Sequence, residues 1–139
     1  MSLSNVYTAG LNNVGSYQVS GIPFASGTID CSTATKIEFP YVTRWVSVVN
    51  NATSPCNVGF SEAGVTSVGG TGTNFFVLGK QSAANVPSTT ERLELKVSEL
   101  WISGSNSISI VAGLTNLPIS RVNNIGISGN NWSGSVGVG

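Results

Sequence analysis

Few residues of this chain could do chemistry, and their spacing limits what that chemistry would be. Ser61 stands in GFSEAG, a phrase close to that of a nucleophilic serine held on a sharp turn. The spacing is G-x-S-x-x-G rather than G-x-S-x-G, and the chain contains no histidine to serve as its base. Ser61 therefore reads as a turn serine. Without histidine, cysteine–histidine nucleophiles are also removed, and so are most zinc sites, since two cysteines cannot complete a tetrahedral set. Glu91, Glu94 and Glu99 form the one carboxylate cluster. A glycosidase needs two acids flanking a sugar in a cleft beside aromatics. Glu99 and Trp101 are two apart on a predicted strand and share a face. Glu94, in contrast, falls between Arg92 and Lys96, where cross-strand ion pairing is the ordinary role.

Other motifs are weaker. GVTSVGGTGTN (64–74) is glycine-rich but lacks the Lys-Ser/Thr that completes a phosphate-binding loop, and Lys80 sits beside a single glycine. Asp30 is the only aspartate, so no D-x-D calcium loop exists. Cys31 and Cys56 have no metal-ligand spacing. A disulfide is possible if their strands are neighbours; with no export signal at the N-terminus, two buried free thiols are the expectation. No catalytic, cofactor-binding or metal-binding residues are expected, and no enzymatic activity.

The elements that would position these residues are strands. In TKIEFPY (35–41), Ile37, Phe39 and Tyr41 alternate with Lys36 and Glu38; in ERLELKV (91–97), Leu93, Leu95 and Val97 alternate with Arg92, Glu94 and Lys96. Period-two alternation predicts half-buried strands. WVSVV (45–49), CNVGF (56–60), NFFVL (74–78), ELWIS (99–103) and SISIVA (107–112) are further runs; YQVSG (17–21) and GTID (27–30) are fainter ones. Gly-, Asn-, Pro- and Ser-rich turn clusters separate them, and no segment carries helical periodicity. The pattern predicts an all-β chain: a single antiparallel β-sandwich of jelly-roll or Greek-key type over residues 16–113, with an N-terminal arm (1–15) and an extended C-terminal arm (114–139). Trp45 and Trp101 are expected to pack in the core. Phe75 and Phe76 are adjacent, so one of them must point outward.

Composition points to association. Six basic and six acidic residues cancel, only 9% of the 139 residues are charged, and Gly, Ser, Thr and Asn make up about half. A surface so poor in charge suits a protein covered by neighbours. Scattered basic residues argue against nucleic acid, and no apolar run is long enough to span a membrane. The arms carry isolated apolar residues in polar, glycine-rich surroundings: Val6, Tyr7 and Leu11 at one end, Ile125, Ile127, Trp132 and Val136 at the other. Ordering such a tail costs more backbone entropy than its few side chains return when buried on one small domain. A partner chain is the expected recipient, and these seven residues are the expected partner-binding set.

The phrases FPYVTRWVSVVNN, CNVGFSEAGV, NFFVLG, LELKVSELWISG, ISIVAGLTNLP and NWSGSVGVG resemble a group of small virion structural proteins of marine tailed bacteriophages, over about Tyr17 to Gly139. The resemblance implies a capsid-associated, decoration or cement role on the head, with the major capsid protein as partner. Self-association as a homotrimer would suit a three-fold position on a shell. The family carries no active site to transfer. An exposed aromatic platform of Trp101 with Phe75 or Phe76 would instead suit a glycan-binding or host-attachment module, on a head fibre or tail.

Overall fold

A computed structural model describes residues 21–66 and 74–119. In chain order the elements are β1 (Ile22–Cys31), β2 (Thr35–Glu38), β3 (Thr43–Asn50), β4 (Cys56–Gly59), a single helical turn α1 (Glu62–Thr66), β5 (Phe75–Leu78), β6 (Ser88–Thr89), β7 (Glu99–Ser103) and β8 (Ser105–Leu114). They form two antiparallel four-stranded sheets. Sheet A has the order β1-β8-β3-β6 and sheet B the order β2-β7-β4-β5. The protein is thus all-β. Strands pair as in one long hairpin, β1 with β8, β2 with β7, β3 with β6 and β4 with β5. The pairs β3–β8 and β4–β7 then join successive parts of that hairpin side by side.

Alternation gives each sheet one buried side, and both sheets contribute to the same core cluster. Val46, Val48, Ile108, Ile110, Ala112 and Leu114 of sheet A and Ile37, Val58, Leu100 and Ile102 of sheet B belong to one buried cluster, together with Phe39 and Val97. Each fully buried aliphatic side chain contributes about 2 kcal/mol relative to exposure. Phe24 meets Phe39 edge-on, with ring centroids 5.1 Å apart.

The connections are fixed by buried polar groups. Asn50 is fully buried and uses both ends of its amide: Nδ2 donates to Ser54 O and Gly79 O, and Oδ1 accepts from Ala52 N and Ser105 Oγ. That one side chain ties the β3–β4 loop to the ends of β5 and β8, with its hydrogen-bonding capacity used in full. Gly104, between β7 and β8, has φ of 116°, a left-handed conformation that glycine adopts without penalty.

Several expectations need correction. Residues 91–97 keep their alternation but do not form a regular strand. Leu93 makes an isolated bridge to Val46, and Leu95 N donates back to Leu93 O. From Val49↔Thr89 to Val46↔Leu93, three steps along β3 are matched by four on the partner, so the ladder is broken by an extra residue. The faint GTID run lies within the long β1, and residues 17–20 of YQVSG fall outside the described residues. The helical turn α1 is unexpected. Leu114 closes β8, Thr115 and Leu117 are buried, and Thr115 N and Val42 N donate to Val42 O and Leu117 O, respectively. The body therefore continues at least to Leu117.

Candidate functional site

The outward positions of the two sheets are the surfaces on which the chain could act, and each has a tryptophan beside a glycine. On sheet B, Trp101 of β7 is opposite Lys36 of β2 and Gly59 of β4, and Gly59 is in turn opposite Phe75 of β5. Directly opposed residues share a face, so Lys36, Trp101, Gly59 and Phe75 make one row. The place that a side chain at Gly59 would take is occupied. A Cβ there would come within 2.8 Å of Val65 Cγ1 and 2.9 Å of Asn74 O. Val65 belongs to α1 and is 1% exposed. Ser61 caps this turn: its Oγ accepts from Gly64 N at 3.0 Å and its carbonyl from Val65 N. Asn57 Nδ2 reaches the Val65 carbonyl at 3.3 Å. Sheet B is therefore plugged by its own chain.

On sheet A, Trp45 of β3 is opposite Gly113 of β8, which is opposite Pro23 of β1. Beside this row lies another, Ala25, Val111 and Ser47. Here a groove of about 510 Å³ is open, lined by residues 21–25, Trp45 and residues 111–113. Every lining residue is apolar or glycine, and the Trp45 indole N–H is the only side-chain hydrogen-bonding group among them. Val111 is 42% exposed in the middle of the sheet. With Pro23, Ala25 and Trp45 it makes a contiguous apolar stretch of that face, and contiguous apolar surface is what marks interaction sites.

The residues singled out for chemistry are dispersed. Ser61 is buried and engaged as a helix cap. Glu94 is held by Arg44 and by Arg92 at 2.9 Å. Glu99 lies on the outer face of sheet B, accepting from Trp101 Nε1 at 2.7 Å and standing opposite Glu38, which Lys36 pairs at 2.7 Å. This pairing with Glu38 raises the Lys36 pKa above its ordinary value. Asp30 accepts from the Ser32 hydroxyl and amide, which lowers its pKa. Cys31 and Cys56 are free, buried thiols, in agreement with the expectation. Burial pushes each up to about 11, and for Cys56 the neighbouring Cys31 adds to the rise. They flank Gly104, whose amide donates to Cys31 O at 2.7 Å and whose Cβ position is 3.8 Å from Cys56 Cβ. Among the described residues no group of three His, Cys, Asp or Glu could hold a metal, and no helix is long and apolar enough to cross a membrane.

The expected partner-binding residues Val6, Tyr7, Leu11, Ile125, Ile127, Trp132 and Val136 lie outside the described residues. So do residues 67–73 of the glycine-rich run. The expectation that Trp45 and Trp101 pack in the core is overturned: both are half-buried on outer faces, since Val46 and Val48, and Leu100 and Ile102, take the inward positions. Strand parity carried the signal. Trp45 shares its face with Ser47, and Trp101 shares its face with Glu99 and Ser103. Of the Phe pair, Phe75 is on the outer face, while Phe76, opposite Val58, faces the core side yet is 37% exposed at the sheet edge.

Among the described residues, then, the chain is all-β, with α1 packed over Gly59 on sheet B and an apolar groove on sheet A. Comparison with protein-family models, with curated proteins and with solved structures found no match to this chain.

Proposed function

We propose that this chain is a non-enzymatic structural protein of a phage virion, a head decoration or cement protein that binds the major capsid protein and neighbouring copies through its terminal arms. In this reading the two sheets are a jelly-roll sandwich and serve as a rigid body. The observation that carries it is the strand order 1-8-3-6 facing 2-7-4-5, which follows from rolling up one long hairpin. Double-sheet jelly rolls recur in capsid and lectin domains. Support also comes from the open apolar groove and from a charge content of 9%, both suited to a protein that is covered in its working state. A trimer would place three such bodies around a three-fold position of a shell. The test is binding to purified phage shells. Full-length protein saturates the shell, and a chain ending at Ile119, with unchanged circular dichroism, loses most of its affinity. Equal affinity of the two forms would refute the role of the C-terminal arm.

A second reading, a glycan-binding or host-attachment module, draws on one feature: Trp101 points outward with its indole oriented by Glu99. An oriented indole can stack on a sugar ring while a carboxylate accepts from its hydroxyls. Glycan-array binding that Trp101→Ala abolishes would favour this reading over the first.

A further inference from the structure

We propose that the groove on the outer face of sheet A receives the C-terminal segment of a second copy of this chain, with Trp132 as the anchoring side chain. The proposal rests on the arm reading above and adds to it the receiving surface and the partner.

Three observations lead there. First, the groove is lined by apolar residues and glycine and has no charged group, which suits an uncharged apolar chain better than a sugar, a nucleic acid or an ionic ligand. The 20 residues that follow Ile119 contain one charge, Arg121, and a tryptophan flanked by Asn and Ser. Second, the chain runs close to this groove at both ends of the described body. Gly21 is part of the groove lining and donates to Leu114 O; Thr115 and Leu117 continue from β8 alongside Val42. A segment leaving at Ile119 has 13 residues to Trp132, enough to span up to about 43 Å when extended. That reach covers a neighbouring body of this size. Third, the equivalent tryptophan–glycine position on sheet B is filled by an apolar side chain from a connecting segment, Val65 over Gly59. The fold already uses this form of insertion once.

A second copy is favoured over the chain's own tail by the rest of the surface. Val77 at 61%, Val86 at 49% and Tyr41 at 40% exposure accompany Val111, and a net charge of zero sets up no repulsion between copies. Tail-to-groove contacts are head-to-tail. They close into a ring when the rotation permits, as a trimer requires.

The test uses the full chain and two classes of variant. Val111→Asp puts a charge into the groove, and Ala25→Glu does the same from the edge strand, in case the first disturbs β8. Trp132→Ala removes the anchor. Wild type is expected to be a multimer by light scattering, and each variant alone a monomer with unchanged circular dichroism, its self-association weakened by about 100-fold or more. Mixing Val111→Asp with Trp132→Ala is the decisive arm. One carries an intact tail and the other an intact groove, so the mixture forms a heterodimer through a single contact. A mixture that stays monomeric overturns the proposal, as does a wild-type monomer. If both groove variants keep the wild-type mass while Trp132→Ala dissociates, the groove assignment is wrong and the arm reading stands. If Trp132→Ala also keeps the wild-type mass, self-association through the tail is refuted as well.

Discussion

Trp101 beside Gly59 on sheet B and Trp45 beside Gly113 on sheet A are the same arrangement on opposite sides of the molecule. On sheet B the glycine is covered by Val65, carried on a helical turn that Ser61 caps. On sheet A an open apolar groove lies at the corresponding place. A glycine next to a tryptophan on a sheet's outer face leaves room for an inserted side chain, as Val65 over Gly59 shows. The β4–β5 connection is long enough to fold back over Gly59. On sheet A, β8 runs directly into residues 115–117, and the Trp45–Gly113 row lines the groove.

If that contrast is right, changes on the closed face cost stability and changes on the open face do not. The largest effect is expected for Gly59→Val, whose side chain meets Val65 and the Asn74 backbone and must displace α1. Chemical denaturation should show a loss of about 3 kcal/mol. Val65→Ala leaves the slot partly empty and should cost about 2 kcal/mol by the same assay, with the unfolding slope unchanged. Ser61→Ala removes the cap alone, at about 1 kcal/mol. On the open face, Val111→Asp should cost the monomer no more than about 1 kcal/mol, the span of strand propensity. A large loss there would mean that Val111 is needed by its own domain, and the two faces would no longer differ in kind.

The thiols offer an independent check on the seam between the sheets. Both are raised by burial, so the folded state binds protons that the unfolded state has released. Their contribution to stability is full below about pH 9, their ordinary value, and is lost as pH rises toward about 11. A thiol reagent at neutral pH should therefore label the folded protein slowly.

Much of this was legible in the sequence, and the remainder was hidden for physical reasons. ELWIS and SISIVA alternate cleanly because one side of each strand meets the core, and they form β7 and most of β8. Parity alone also puts Trp45 with Ser47 and Trp101 with Glu99, away from the core; the size of the indole favours the opposite expectation. ERLELKV alternates as well, but the extra residue opposite β3 breaks its ladder, and such slips are set by the partner strand. A helical turn of five residues is too short to show a period. It depends on the Ser61 cap and on the room above Gly59. The groove is the least legible feature, because its walls come from β1, β3 and β8, which are far apart in the chain and are brought together only by the rolled-up pairing.

Coverage of the sheet A groove by another copy can be read from the state of the protein in solution. The most direct measurement is the molar mass of the untruncated protein by light scattering across a dilution series. A multimer at high concentration is expected to dissociate on dilution, with tryptophan emission shifting to the red as Trp45 and Trp132 are both uncovered. A monomer at every concentration, with tryptophan emission constant, would contradict it.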